Sequence, residues 1–77
     1  MPHERKLIYS NGRDGRALAI NPEMIYLVQA GEALNESEIL YITNSGIAQF
    51  FVKETHSAFC RKWLAALNGL SPAEITN

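Results

Sequence analysis

His56 and Cys60 are the two residues whose types and spacing come nearest to chemistry. Four apart on a helix, they stand on one face a turn apart, where an imidazole could hold a thiol as thiolate. Nucleophilic catalysis needs more than that pair. It needs donors for an oxyanion and an acid to orient the ring, and the sequence offers neither in recognisable form. The plainer reading is a half-buried histidine beside a small core thiol. A metal centre built from His56, Cys60 and His3 lacks a fourth ligand and any usual ligand spacing. Asp14 is the only aspartate, and Glu23, Glu32, Glu36, Glu38 and Glu54 fall in turns or at strand ends. Paired-carboxylate catalysis therefore has no home. Asn11-Gly12-Arg13-Asp14-Gly15-Arg16 carries two glycines, but it lacks the Lys-Ser/Thr pair and the following helix of a phosphate loop, and reads as a turn. No catalytic, cofactor-binding or metal-ligating residue emerges, and a non-enzyme without cofactors is expected.

Binding offers more. Arg13, Arg16, Arg61 and Lys62, with Lys53 and the rings of Tyr9, Tyr26 or Tyr41, could form a basic patch with stacking platforms for nucleic acid. Against this, seven basic residues meet eight acidic ones, and a net charge of −1 gives no global pull towards nucleic acid or an anionic membrane. Aromatic residues on strands are more often core. A small nucleic-acid-binding regulator is thus the alternative, behind a non-catalytic interaction or regulatory module.

The composition bounds the setting. Seventy-seven residues allow one small domain that buries a modest share of its surface, and 47% hydrophobic content argues against disorder. One cysteine makes no internal disulfide, which suits a reducing compartment. No apolar run approaches the roughly 20 residues of a membrane span. Behind Met-Pro-His-Glu-Arg-Lys the apolar segment is only Leu7-Ile8-Tyr9, too short for a signal peptide, so the Asn35-Glu36-Ser37 sequon has no secretory context. A cytoplasmic location without membrane attachment is the default.

Elements follow from the pattern. Lys6 to Ser10 reads as a strand, Asn11 to Gly15 as a turn, and Arg16 to Ile20 as the return strand. Asn21-Pro22 breaks the pairing, because proline has no amide for a ladder. Met24 to Gln29 is a third strand, and Ala30 to Ser37 a polar, mobile hairpin loop. Glu38 to Leu67 organises the rest: strand, tight turn at Asn44-Ser45-Gly46, strand, helix. Asn44 and Gly46 should supply the positive φ angles of the hairpin. Thr55 or Ser57 caps the helix, and Asn68-Gly69 stops it, with Leu70 folding back. On a helical wheel Ala66, Phe59, Leu70, Trp63, His56, Leu67, Cys60 and Leu64 share an arc of roughly 160°, while Ala65, Arg61 and Lys62 lie on the opposite, watery side. Residues 1–5 and 71–77 read as loose tails. The expected fold is α+β: four to five short antiparallel strands, in a sheet that can curl into a partly open barrel, with one C-terminal helix packed on it.

The order of these signals resembles the small flagellar FlbD (swarming-motility) proteins. The matching pieces are Asn11-Gly12, Asn21-Pro22-Glu23-Met24-Ile25, Thr43-Asn44-Ser45-Gly46 and Val52-Lys53-Glu54-Thr55, spread over residues 11–67, about three quarters of the chain. The chain departs from that pattern in a longer first turn, in Ser45 before Gly46, and in Trp63 and the segment after Gly69. The resemblance implies a small, non-enzymatic bacterial protein.

Association is also legible. A sheet with one helix on it should alternate apolar and polar residues, because one face meets water. Met24-Ile25-Tyr26-Leu27-Val28, Ile39-Leu40-Tyr41-Ile42 and Phe50-Phe51-Val52 do not alternate. One helix of about 12 residues, roughly 18 Å long, shields a single face. A homo-oligomer, most simply a two-fold dimer, is expected, with room for a protein partner. Tyr26, Val28, Tyr41, Phe51, Trp63 and Leu67 are expected in core or interface.

Overall fold

Strand-forming residues and turn-formers alternate through most of the chain, and the backbone follows them. A computed structural model describes residues 6–69. In order they form β1 (Ile8–Asn11), β2 (Ala17–Ile20), a 3-10 turn (Pro22–Met24), β3 (Ile25–Ala30), β4 (Ser37–Thr43), β5 (Gly46–Val52) and α1 (His56–Leu67). The architecture is α+β and every strand pairing is antiparallel. The tails, His3 and the packing of Leu70 lie outside the described residues.

The first hairpin closes on its own turn. Gly12 N–H donates to Arg16 O, Gly15 N–H to Gly12 O, and the Asp14 carboxylate accepts from Arg16 N–H. Gly15 takes a φ of 87°, which a side chain would resist. Ile8 pairs with Ile20 and Ser10 with Leu18. Asn21-Pro22 ends β2 as expected. The third strand, however, begins at Ile25: the Asn21 side chain accepts from Glu23 N–H, and Pro22 at the first position winds Pro22–Met24 into a 3-10 turn. Met24 is therefore not in the strand.

β3, β4 and β5 form a meander in that order. A bulge shifts the β3–β4 register between Ile25 and Leu27, so Tyr26 has no partner opposite it. The β4–β5 turn corrects another expectation. Gly46 alone carries a positive φ, 122°, and Asn44 does not. The turn is held instead by the Thr43 hydroxyl, which accepts from Ser45 N–H and donates to Gly46 O.

The five strands divide into a two-stranded and a three-stranded sheet. They touch at one corner, where Gly12 bridges Val52 and Lys53 N–H donates to Asn11 O. Beyond that corner the Arg13–Arg16 turn folds back on itself, so no ladder runs on along β5.

α1 packs against β1, β3 and the 3-10 turn. Thr55 is the N-cap, accepting from Ala58 N–H at 3.2 Å, and Gly69 ends the helix at a φ of 70° with its N–H on Ala66 O. The buried helix residues are Phe59, Ala65 and Ala66. Two members of the expected apolar arc are outside it: Leu64 is 51% exposed and His56 is exposed. Ala65, assigned to the watery side, is fully buried. Small side chains let the helix approach β1 closely enough for Lys6 N–H to reach Ala66 O, and that approach turns the alanines inward. The core comprises Ile8, Ile20, Ile25, Val28, Ile39, Val52, Phe59 and Ala66. No described helix is long and apolar enough to cross a membrane.

Candidate functional site

The divergence of the two sheets leaves a groove of about 640 Å³ between β2 and the β4–β5 pair. Leu18, Ala19, Ile20, Tyr41, Phe50 and Phe51 supply a mainly apolar wall, and Gly12, Arg13, Asp14 and Arg16 line it from the first turn. Tyr41 and Phe50 meet edge to face, with ring centroids 5.9 Å apart. The Tyr41 hydroxyl accepts from Asn21 N–H at 3.3 Å, tying the wall to the end of β2.

At one end of the groove Arg13 is locked. Its guanidinium lies 3.7 Å over the Phe51 ring and forms two bonds to Glu36, Nε to Oε2 at 2.8 Å and Nη2 to Oε1 at 2.7 Å. Glu36 is 6% exposed, and the Arg13 bonds hold its carboxyl below the usual glutamate range against the opposing effect of burial. Arg13 is raised in turn by the same bond. Glu36 also accepts from Ala33 N–H, and Gly31 N–H donates to Glu36 O. A Cβ at Gly31 would stand 2.9 Å from Glu36 Cγ, so glycine is what lets the loop close here. The connector expected as a mobile loop is thus anchored to the first turn. Asp14 is also held below the usual aspartate range, chiefly by Arg16 N–H.

A second cluster joins α1 to the strands. Glu54 accepts from the Ser10 hydroxyl and from Lys62 Nζ at 2.7 Å, and Lys62 also reaches Tyr9 O at 2.9 Å. Ser37, fully buried, donates to Glu54 O. A shallower groove of about 460 Å³ opens beside this cluster.

The basic residues named from the sequence are therefore divided. Arg13 pairs with Glu36, Lys62 with Glu54, and Arg16 lies 3.7 Å from Asp14 at an exposed site. Arg13 and Arg16 line the larger groove and Lys62 the smaller, while Arg61 is exposed on α1. Lys62, expected in water beside Arg61, instead fastens the helix to β1. His56 Nε2 lies 3.6 Å from Cys60 Sγ, but burial pushes the thiol up from its ordinary value, away from thiolate. Among the described residues no group of three or more His, Cys, Asp or Glu could hold a metal ion.

Of the six residues expected in core or interface, Val28 is core, and Tyr41 and Trp63 pack against it. Trp63 Nε1 donates to Pro22 O at 3.0 Å, which fastens α1 over the 3-10 turn. Leu67 and Phe51 are half-buried, and Tyr26 is 60% exposed at the bulge. Glu36 and Glu54, the two anchoring carboxylates, were read from the sequence only as turn and strand-end residues. Their partners lie 23 and 44 residues away for Arg13 and Ser10, and no local spacing signals such pairs. Neither a family model, nor a curated protein, nor a solved structure matches this chain.

Proposed function

We propose that the chain is a non-catalytic interaction module that works as a homo-oligomer, most simply a two-fold dimer. The observation that carries this is a face without cover. Strand alternation puts Val28, Ile39 and Val52 on the core side of the three-stranded sheet, and Leu27, Leu40, Ile42 and Ile47 on the other. The helix and the strands of the first hairpin pack on the core side, and Arg13 of the first turn reaches round to the other only over Phe51. Leu27, Ile42 and Ile47 are left exposed, and Leu40 half-buried, in register beside one another. A continuous apolar patch of this kind marks an association surface more often than a chance exposure.

Two finer readings belong with this proposal. The corner bridge at Gly12 and Val52 supports a sheet pair that curls towards a partly open barrel, with the larger groove as its open seam. The order of the turn, Asn-Pro and Val-Lys-Glu-Thr motifs supports a small, non-enzymatic bacterial protein of the FlbD kind, and the single cysteine suits a reducing, cytoplasmic setting. Nucleic-acid binding gains no specific support, since two of its four basic residues are already paired with buried or half-buried glutamates.

Light scattering behind size exclusion at micromolar concentration tests the central claim. A mass near twice 8.6 kDa is expected, and a stable 8.6 kDa monomer would remove the reading.

A further inference from the structure

Each sheet edge poses the same problem, a row of main-chain donors and acceptors that another chain could pair with. Most edges here are guarded. β1 has its outer carbonyls taken, Tyr9 O accepting from Lys62 Nζ and Asn11 O from Lys53 N–H. β2 has only four residues between Arg16 and the Asn21-Pro22 break. β3 carries a bulge at Tyr26 and follows the proline turn. β5 is different. It runs seven residues, Gly46–Val52, with no charge, no proline and no bulge.

The side of β5 turned away from β4 can be assigned. Lys53 N–H points to Asn11 O, and on an extended strand residues two apart turn their groups to the same side. Ile47, Gln49 and Phe51 therefore present N–H and C=O to that side. Arg13 stacks over Phe51 and the bridge holds Val52. For Ile47 and Gln49 no backbone partner on that side exists among the described residues. The open run is Gly46-Ile47-Ala48-Gln49-Phe50; its first four residues are exposed, and the groove beside β2 meets it only at Phe50.

We infer that two copies of this chain pair antiparallel along this edge, with Ala48 facing Ala48 of the other copy at the two-fold axis; this rests on the homo-oligomer reading above. The run is self-complementary in that register. Ile47 and the partner's Gln49 exchange main-chain bonds, and so do Gln49 and the partner's Ile47, about four bonds in all. Gly46 lies opposite the partner's Phe50, so the largest side chain meets the smallest. Ala48 sits at a non-hydrogen-bonded position, where facing side chains come closest and a small one fits. No charge lies in the run, so no like charges meet. The three-stranded sheets become one six-stranded sheet, and Ile47, 60% exposed in the single chain, gains a neighbouring strand.

Cross-linking at the axis tests this. In full-length protein with Cys60→Ala, Ala48→Cys should oxidise rapidly and nearly completely to a disulfide-linked dimer, because facing Cβ atoms at such a pair lie about 4.5–5.5 Å apart. Leu34→Cys, on a residue 93% exposed in the β3–β4 loop, serves as the collision control and should cross-link at least about tenfold more slowly. Ala48 is itself exposed, so the substitution leaves the core untouched. Equal rates at the two positions, with light scattering still reporting a dimer, would overturn edge pairing and leave the homo-oligomer reading standing. A monomer by light scattering would overturn both.

Discussion

Arg13 shows how one side chain can join distant parts of a small chain. It stacks on Phe51 of β5, and it clamps Glu36 at the end of the β3–β4 loop from its own place in the first turn. Because the folded carboxyl of Glu36 is held below its usual range, the folded state binds its proton less readily than the unfolded chain. The stabilisation is fully present above the ordinary glutamate range and is lost as pH falls through the folded value. Melting temperature should therefore drop on acidification from neutral towards pH 3. Glu36→Gln should lower it at pH 7 and flatten that acid dependence, leaving a smaller residue of the same sign from Asp14. Thermal unfolding followed by circular dichroism across that range checks it; an unchanged acid profile in Glu36→Gln would show that the clamp contributes nothing. The sequence displayed Arg13 only as one of several basic residues. Pairing across 23 positions leaves no periodic trace, so the clamp was illegible until the loop and the turn were brought together.

At the scale of elements, legibility tracks how local the cause is. Thr55 caps α1 because its hydroxyl lies three residues before a free amide, a relation contained in the sequence itself. Thr55→Ala should cost about 1 kcal/mol, read from urea unfolding with the slope unchanged. The first turn, the break at Asn21-Pro22 and the stop at Gly69 were legible for the same reason. The helix face was only partly so. A wheel ranks residues by polarity, but contact with β1 selects by size as well, and it turned Ala65 inward and left Leu64 in water. The 3-10 turn was hidden because Met24 suits a strand equally well until Asn21 captures the Glu23 amide. Division into two sheets was hidden as well, since it depends on where the chain goes after Gly12.

The whole molecule poses a question of sufficiency. Among the described residues the main hydrophobic cluster comprises eight that are buried, several of them short, while Leu27, Ile42 and Ile47 stay in water. Domains this small bury a low fraction of their surface and hold little stability in reserve. If two copies share the edge of β5, part of the folding free energy is association, and stability must then depend on concentration. For a dimer that unfolds to two free chains, a hundredfold rise in concentration adds about 2.7 kcal/mol per dimer, or roughly half that per chain. With a shift of about 4–8 °C per kcal/mol for a domain of this size, melting temperature should climb by roughly 5–10 °C between about 1 and 100 µM. Ala48→Lys, which sets two ammonium groups face to face at the axis, should remove most of that climb and lower the melting temperature already at about 1 µM, where the wild-type chain is still paired. The two slopes, measured on one instrument, separate an edge-paired dimer from a self-sufficient chain: a wild-type melting temperature that ignores concentration means the eight-residue cluster holds the fold alone, and a slope that survives Ala48→Lys means the copies meet somewhere other than β5.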